Sequence, residues 1–402
     1  MNVFDFTSVM DRQGFDAIAV DGIGRIPGMA PEKPEEGFDV IPMWVADMNF
    51  PTAPAVLKAI RERAEHPAFG YFEPREEYYA SILRWQESRY GFRPNGAECI
   101  GYENGVLGGV ASALRVLCSR GDKVLLHAPT YIGFTNLLEN NGYHAVHSPL
   151  VRDEDGRWRM DLADMEQKIR DCGIHVLLFC SPHNPCGRVW ERKELEEMYA
   201  LCRKYDVRVI SDEIWADIIR EGHRHIPSPS LDEDAARRTI SFYAPSKTFN
   251  LAGLIGSYHV IPDPVLRSRI RKEASLGHYN SMNVLSMHAL IGAYSEEGEA
   301  WVNALNQVLT QNVDYAVTYI REHFPGVSVF RPEGTYMLFL DCGQWCRERG
   351  LSLAELEKKG WRVGVAWQDG AMFKEPWSIR MNLALPLSRV EEAMERLDKY
   401  VF

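Results

Sequence analysis

The chain has 402 residues, of which 46% are hydrophobic and 25% charged, and its formal net charge is −11. This composition excludes wholesale disorder and favours two or three globular domains, because enough apolar surface is available to offset chain entropy. The acidic balance argues against binding to nucleic acid or to an anionic membrane surface.

The N-terminal residues, Met1 to Phe6, contain no basic stretch followed by an apolar core, so we expect no signal peptide. The sequence has no run of about 18 uncharged apolar residues, which predicts that no segment spans a membrane. Eight cysteines without a Cys-x-x-Cys pair favour reduced thiols in a cytoplasmic protein. A zinc site at Cys342 and Cys346 would need two further ligands, so we predict no metal site.

The middle of the chain alternates short apolar runs with helical patterns. Runs of this length are typical of strands that are buried on both faces of a sheet. Strands that alternate with helices predict a mostly parallel sheet flanked by helices, which is the α/β class. The predicted strands are Lys123–His127, His144–His147, His175–Cys180, Arg208–Ser211, Thr239–Phe242 and Gly256–Val260.

The pattern changes after about residue 290, where it becomes typical of a smaller α+β domain. We predict an N-terminal arm that forms part of the small domain over residues 1–50, a large domain over 51–290 and a small domain over 291–402. The predicted elements of the small domain are helices at 298–323, 353–359 and 388–400 and strands at 327–330, 335–340 and 377–383.

Polar residues follow three of the predicted strands of the large domain. They are Asn184, Asp212 and Lys247, which are separated by 28 and 35 residues, about one strand–helix unit each. Ligands collect at the carboxyl ends of the strands in open α/β sheets. We therefore expect these three side chains to converge on one crevice.

The chemistry of Lys247 and Asp212 points to a pyridine cofactor. Desolvation lowers the pKa of a lysine at a buried strand end, which makes a neutral amine available for Schiff-base formation. A buried carboxylate needs a cationic partner, and a protonated pyridine nitrogen is one. Pyridoxal phosphate uses both features. The alternative is a structural ion pair between Lys247 and Asp212, and these two residues alone leave both interpretations open.

Further segments carry a more specific signal. They are Ser181–Gly187, Asp212–Trp215, Ser246–Gly253 and Ile379–Asn382, preceded by Trp44–Pro54. In this order and spacing they resemble the fold-type-I pyridoxal-phosphate enzymes of the aminotransferase class I/II superfamily. Trp44–Pro54 and the Ser-Lys-Thr-Phe-Asn run resemble its MalY/PatB branch of cystathionine β-lyase-like C–S lyases. The similarity extends from about residue 3 to the C-terminus and implies an aspartate-aminotransferase-like fold with a predominantly seven-stranded large-domain sheet.

The resemblance implies pyridoxal 5'-phosphate as the cofactor and assigns roles to four residues. Lys247 would bind the cofactor covalently and move the Cα proton of the substrate. Asp212 would keep the ring nitrogen protonated, and Asn184 would hydrogen-bond to the 3-oxygen of the ring. Tyr131 would stack on the ring face, with packing at a strand end as the alternative interpretation.

The cofactor phosphate would be bound at the start of a helix. The segment Asn104–Gly109 precedes a helical pattern and resembles the phosphate-binding turn of the family, in which Gly105 and Val106 would donate backbone N–H groups. Ser246 would add a hydroxyl. Tyr71 resembles a tyrosine that reaches the phosphate from the partner subunit, which implies a homodimer with shared active sites.

Arg380 resembles the arginine that binds the substrate α-carboxylate, a task that suits its planar fork. Tyr336 is predicted near the mouth of the site, although a core strand position is an equal alternative. Three segments depart from the family pattern. Trp215 stands where many relatives have Tyr or His, Leu254–Ser257 lacks the arginine that often follows the lysine, and Ala19–Asp21 replaces the Lys-Trp-Asp of the branch.

The function implied is a C–S lyase that converts cystathionine or a related S-substituted cysteine into a thiol, pyruvate and ammonia by β-elimination. An aminotransferase with the same cofactor is the alternative, because the two reactions diverge only after proton abstraction. A binding protein without catalytic activity is a third hypothesis, and the presence of Lys247, Asp212, Asn184 and Arg380 argues against it. The expected partner is a small amino-acid substrate.

Overall fold

The computed structural model describes residues 4–277 and 280–402. The prediction about a signal peptide therefore falls partly outside the described residues, since it includes residues 1–3. A mixed sheet of eight strands organises the larger part of the molecule. Its order is Ile100–Glu103, Ser257–Val260, Thr239–Tyr243, Arg208–Asp212, Val176–Cys180, Lys123–Ala128, His144–Arg152 and Trp158–Met160.

The sheet is mostly parallel, as predicted. Ser257–Val260 runs antiparallel to both of its neighbours, and Trp158–Met160 runs antiparallel to His144–Arg152. All six predicted strands are confirmed, and Ile100–Glu103 completes a set of seven. The sheet has an eighth strand that the prediction of seven missed, because Trp158–Met160 is only three residues long and forms the end of a hairpin.

The central strands are buried at every position, which explains their continuous apolar runs. Alternate side chains point to opposite faces of the sheet. Leu178 and Ile210 pack on one face in a cluster with residues of the helix Val106–Leu117. Leu177 packs on the other face with residues of the helix Arg192–Lys204. The sheet therefore forms the middle of three layers.

Helices cover this sheet, and several begin at side-chain caps. Glu191 and Glu194 form a capping box at the start of Arg192–Lys204, and Asn283 caps Val284–Ala293. Across the described residues, no helix is both long enough and apolar enough to cross a membrane. The α-helices of this part of at least nine residues are Pro54–Ala64, Glu76–Tyr90, Val106–Leu117, Ile132–Asn140, Leu162–Cys172, Arg192–Lys204, Pro264–Gly277 and Val284–Ala293.

The C-terminal part has the predicted α+β character. Its antiparallel sheet has the order Ser328–Val329, Met337–Asp341, Ser378–Asn382 and Gln368–Asp369. Its α-helices are Glu296–His323, Gly343–Arg349, Leu353–Arg362 and Leu387–Tyr400. Ile41–Pro42 of the N-terminal arm pairs with Val365–Ala366, so the arm is attached to this part.

Candidate active site

A cavity of about 280 Å³ lies at the carboxyl ends of the central strands. Seven of the predicted cofactor-binding residues line it together, although they come from separate segments of the chain. They are Gly105, Val106, Tyr131, Asn184, Asp212, Ser246 and Lys247.

The strand register explains why these segments meet. Asp212 is the last residue of its strand and pairs with Cys180 on one side and Phe242 on the other. Parallel strands that end at the same level send their following loops to the same edge of the sheet. The loops that carry Asn184 and Lys247 therefore lie on either side of Asp212, as the spacing predicts.

Lys247 is mostly but not fully buried, and its Nζ donates a hydrogen bond to the Ala46 carbonyl at 2.8 Å. Burial, with a smaller contribution from the positive charge of Arg380, lowers the pKa of Lys247 to about 8. Asp47 and Asp212 act in the opposite direction but do not offset the loss of solvation. A larger fraction of the amine is therefore neutral near physiological pH than for an exposed lysine.

Asp212 is only 5% exposed. Within the described residues its carboxylate accepts one hydrogen bond, from the Ile214 backbone N–H at 3.0 Å, and joins no ion pair. The structural ion pair with Lys247, which the sequence left open, is therefore not formed. Burial raises the pKa of Asp212 to about 7. Such a carboxyl group is suited to a cationic ligand atom, which would supply the missing partner.

The start of the helix Val106–Leu117 forms one end of the cavity. Gly105 precedes the helix with φ +83° and ψ 146°, a conformation that is essentially restricted to glycine. The N–H groups at a helix start and the helix dipole favour an anion there. Ser246 and Ser257 also line this cavity, where Lys247 is the only cationic side chain contributed by the described residues. These backbone and hydroxyl groups fit a phosphate.

A second cavity, of about 800 Å³, shares Ala46, Tyr131 and Lys247 with the first and includes Arg380. Burial lowers the pKa of Arg380 to about 10. The guanidinium Nη2 donates to Gln368 Oε1 at 2.6 Å and to the Trp44 carbonyl at 2.8 Å.

Arg380 Nη1 donates to Asn184 Oδ1 at 3.3 Å. Its buried Nε has no hydrogen-bond partner in the described part of the chain. Arg380 thus lies against the same cavity as Lys247 with a donor still free, which fits a carboxylate ligand.

Two predicted residues lie elsewhere. Tyr336 is fully buried and lines neither cavity, and its hydroxyl donates to the Ala46 carbonyl at 3.1 Å. Its ring packs edge-on against Trp215. Tyr71 is fully exposed in the loop after His66 and lines neither cavity. Their predicted contacts with substrate and with the partner's phosphate stay predictions.

Sequence reasoning missed three parts of this site. The Ala46 carbonyl accepts hydrogen bonds from Lys247 and from Tyr336. Sequence reasoning could not predict this acceptor, because every residue has a backbone carbonyl. Gln368 is paired with Arg380 across two neighbouring strands, a register that the sequence does not show. Arg12 forms an ion pair with Asp47 at 2.6 Å, and both residues line the second cavity. Asp47 belongs to the segment Trp44–Pro54, which resembles the MalY/PatB branch and could have pointed to this pair.

The family model for aminotransferase class I and II matches residues 39–397. The chain is 31% identical to cystathionine beta-lyase PatB from Bacillus subtilis over 396 residues, 98% of each chain. It is 30% identical to protein MalY from Escherichia coli over 405 residues, again 98% of each. The PLP-bound C–S lyase from Staphylococcus hominis superposes with a TM-score of 0.88 at 31% identity, over 98% of both chains.

An aspartate aminotransferase double mutant from Thermus thermophilus superposes with a TM-score of 0.79 at 19% identity, over 90% of this chain and 92% of that one. This likeness confirms the predicted aspartate-aminotransferase-like fold. The family match over residues 39–397 and the relatives at 30% identity or more establish that the chain belongs to the aminotransferase class I and II family.

Proposed function

We propose that this protein is a pyridoxal-phosphate-dependent C–S lyase that acts on cystathionine or a related S-substituted cysteine. The observation that carries the proposal concerns Asp212 and Lys247, which line the same cavity. Asp212 is a buried carboxyl group that forms no ion pair with any described residue, and the pKa of the Lys247 amine is lowered mainly by burial. The cofactor supplies an electron sink for the electron pair left at the substrate Cα. The names of the relatives at about 30% identity over 98% of the chain support the same reaction class.

Different residues of the first cavity would bind different parts of the cofactor. Gly105, Val106 and Ser246 would bind the phosphate, and Asn184 would bond to the 3-oxygen of the ring. Tyr131 would cover the ring face. Asp212 would hold the ring nitrogen in its protonated form, which its burial and its lack of an ion-pair partner favour.

Lys247 and Arg380 act on the substrate. Arg380 binds the α-carboxylate, and its contacts with Gln368 and the Trp44 carbonyl fix the plane of the guanidinium. The neutral form of Lys247 Nζ takes the proton from Cα, and the thiolate then leaves from Cβ. One water hydrolyses the remaining three-carbon imine, so the products are a thiol, which is homocysteine when the substrate is cystathionine, together with pyruvate and ammonia.

An aminotransferase is the second candidate. A solved structure described as a PLP-bound putative aminotransferase from Clostridium difficile is 32% identical and superposes with a TM-score of 0.90, over 99% of this chain and all of that one. Lys247, Asp212 and Arg380 serve that reaction equally well, because both reactions begin with removal of the Cα proton.

A direct assay separates the two candidates. Purified holoenzyme is incubated with L-cystathionine, and pyruvate is measured with a coupled dehydrogenase, with and without 2-oxoglutarate. We expect pyruvate without 2-oxoglutarate. Lys247→Ala should form almost none, whereas Lys193→Ala, on the exposed face of a helix, should match wild type. Amino transfer that requires 2-oxoglutarate, without pyruvate release, would establish the aminotransferase instead.

We also propose a homodimer in the cytoplasm. The aromatic side chains of Phe69 and Tyr71 are exposed on one loop of the single chain, which supports their burial in a subunit interface. All eight cysteines are free thiols, which supports a reducing compartment. Sedimentation of the purified protein tests the first point, and a monomer at micromolar concentration would contradict it.

A further inference from the structure

A cavity of about 600 Å³ lies apart from the candidate active site. It is bordered by the end of the helix Glu76–Tyr90, the loop at residues 219–225 and the helix Glu296–His323. In the described part of the chain, none of its lining residues is shared with the two cavities around Lys247. The proposed function assigns it no role.

Arg220 lines this cavity and is only 1% exposed. Its backbone N–H donates to the Glu333 carbonyl at 2.8 Å, and its Nη2 donates to the Thr335 carbonyl. Its Nε and Nη1 have no hydrogen-bond partner among residues 4–277 and 280–402. Burial lowers the pKa of Arg220 to about 9. A buried guanidinium with free donors and no carboxylate partner is costly, so this position is suited to an anion.

Two further buried atoms at the same cavity lack partners within the described residues. His225 is 2% exposed, and its Nε2 is bonded to Glu213 Oε2 at 2.7 Å, which leaves Nδ1 free. Asn306 Nδ2 donates to the Asp217 carbonyl at 2.8 Å, whereas its Oδ1 has no donor. Buried polar atoms are rarely left unpaired, and here three side chains with such atoms border one space.

The charges around the cavity favour a negative ligand. Three arginines line it, Arg89, Arg220 and Arg224, against one carboxylate, Glu221. Arg89 donates to Asn303 Oδ1 at 2.5 Å and forms ion pairs with Asp217 at 3.7 Å and with Glu299 at 3.8 Å, so its charge is already balanced. Arg224 donates to the Tyr90 carbonyl at 2.9 Å. Among the described residues, neither Arg220 nor Arg224 has a carboxylate in an ion pair, and their positive potential attracts an anion.

We propose that this cavity is a second binding site, which takes a small molecule with a carboxylate or phosphate group. The oxyanion accepts hydrogen bonds from the free donors of Arg220. A donor group elsewhere on the ligand reaches Asn306 Oδ1. Both kinds of oxyanion share the chemistry that arginine recognises, and the experiment distinguishes between them.

Calorimetry on the holoenzyme tests the proposal. The protein in Tris chloride buffer is titrated separately with inorganic phosphate and with acetate. We expect saturable binding of at least one probe, and the tighter one identifies the oxyanion. Arg220→Gln should weaken binding about tenfold or more, because charge-assisted hydrogen bonds to the anion are lost. Arg192→Ala, an exposed arginine on another helix, should bind as wild type does.

A second variant keeps the test decisive if Arg220→Gln does not fold. Arg224 is exposed, so Arg224→Glu should fold with at most a small decrease in Tm, from loss of its hydrogen bond to the Tyr90 carbonyl, while it weakens binding about tenfold by charge reversal. Binding that Arg380→Gln abolishes and Arg224→Glu leaves unchanged would belong to the active site and would overturn the proposal. Absence of saturable binding of both probes would overturn it as well, as would a crystal structure in phosphate with only water beside Arg220.

Discussion

At the scale of single residues, burial disfavours the charged form of Asp212 and raises its pKa from 3.8 to about 7. Between about pH 4 and pH 7 the cofactor-free folded protein therefore binds more protons at this position than the unfolded chain does. Stability falls as pH rises through this range, because the carboxylate must ionise inside the protein. Above about pH 7, Asp212 therefore lowers the stability of the cofactor-free protein.

We predict that Asp212→Asn raises the Tm of the cofactor-free protein at pH 8. The gain in stability should be on the order of 4 kcal/mol, since the pKa rises from 3.8 to about 7 and each pKa unit corresponds to about 1.4 kcal/mol. The gain should shrink toward pH 4 and vanish below the unfolded pKa of 3.8, where Asp212 is protonated in both states. Asp155→Asn, at an exposed turn, is the control and should leave the profile unchanged. An equal gain at pH 4 and pH 8 would contradict the assignment.

Gln368 positions Arg380 through the hydrogen bond from Nη2 to Oε1, at 2.6 Å. We predict that Gln368→Ala raises KM for the amino-acid substrate about tenfold, because a charge-assisted bond that fixes the guanidinium is lost. The change in kcat should be smaller, since Lys247 is untouched. Steady-state kinetics of pyruvate formation measure both parameters, with Gln344→Ala on an exposed helix face as the control. A fall in kcat with unchanged KM would argue against the role.

At the scale of elements, the turn into the helix Val106–Leu117 depends on the backbone conformation of Gly105. A Cβ at this position would meet only Ile255 Cγ2, at an ordinary 3.7 Å. The obstacle to substitution is therefore the φ of +83° rather than space.

We predict that Gly105→Ala weakens cofactor binding about tenfold or more, because the strain turns the N–H groups at the helix start away from the phosphate. Retention of the cofactor during dialysis measures the effect. Gly156→Ala is a matched control, with φ +77° in a turn remote from the cavity. It should lower Tm without releasing cofactor. Equal cofactor loss in both variants would mean that general destabilisation is the cause.

The elements that the sequence predicted best are those with a continuous apolar run. The six predicted strands are long enough to show this pattern, and the residues after them could be assigned because each lies at a strand end. The strand Ile100–Glu103 was not predicted, because its Gly and Tyr interrupt the apolar pattern and only Ile100 and Glu103 are buried. Gln368 was not predicted as a site residue, because its contact with Arg380 depends on how their two strands pair.

At the scale of the whole molecule, the helix Glu296–His323 connects two hydrophobic cores. Trp301 and Leu305 pack with residues of the large sheet's side, whereas Val313 and Ile320 pack with the C-terminal sheet. The predicted domain boundary at residue 291 assigns this whole helix to the small domain. The sequence does not show that the helix belongs to two cores, because its apolar pattern continues unbroken along its length. The cavity of about 800 Å³ is lined both by Lys247, from the part with the large sheet, and by Arg380, from the C-terminal sheet.

The proposed dimer leads to a prediction that concerns two chains at once. If Tyr71 completes the active site of the partner, a dimer of one Tyr71→Ala chain and one Lys247→Ala chain has both defects in one site and neither in the other. Random pairing of the two variants should then restore about a quarter of wild-type pyruvate formation, because half of the symmetric dimers are mixed. Each variant alone should be much less active, and Val265→Ala, exposed on the helix Pro264–Gly277 and away from both cavities, paired with Lys247→Ala is the control for mixing. If Tyr71 acts within its own chain, the mixed dimer carries one defect in each site, and the mixture would show only the average of the two separate activities.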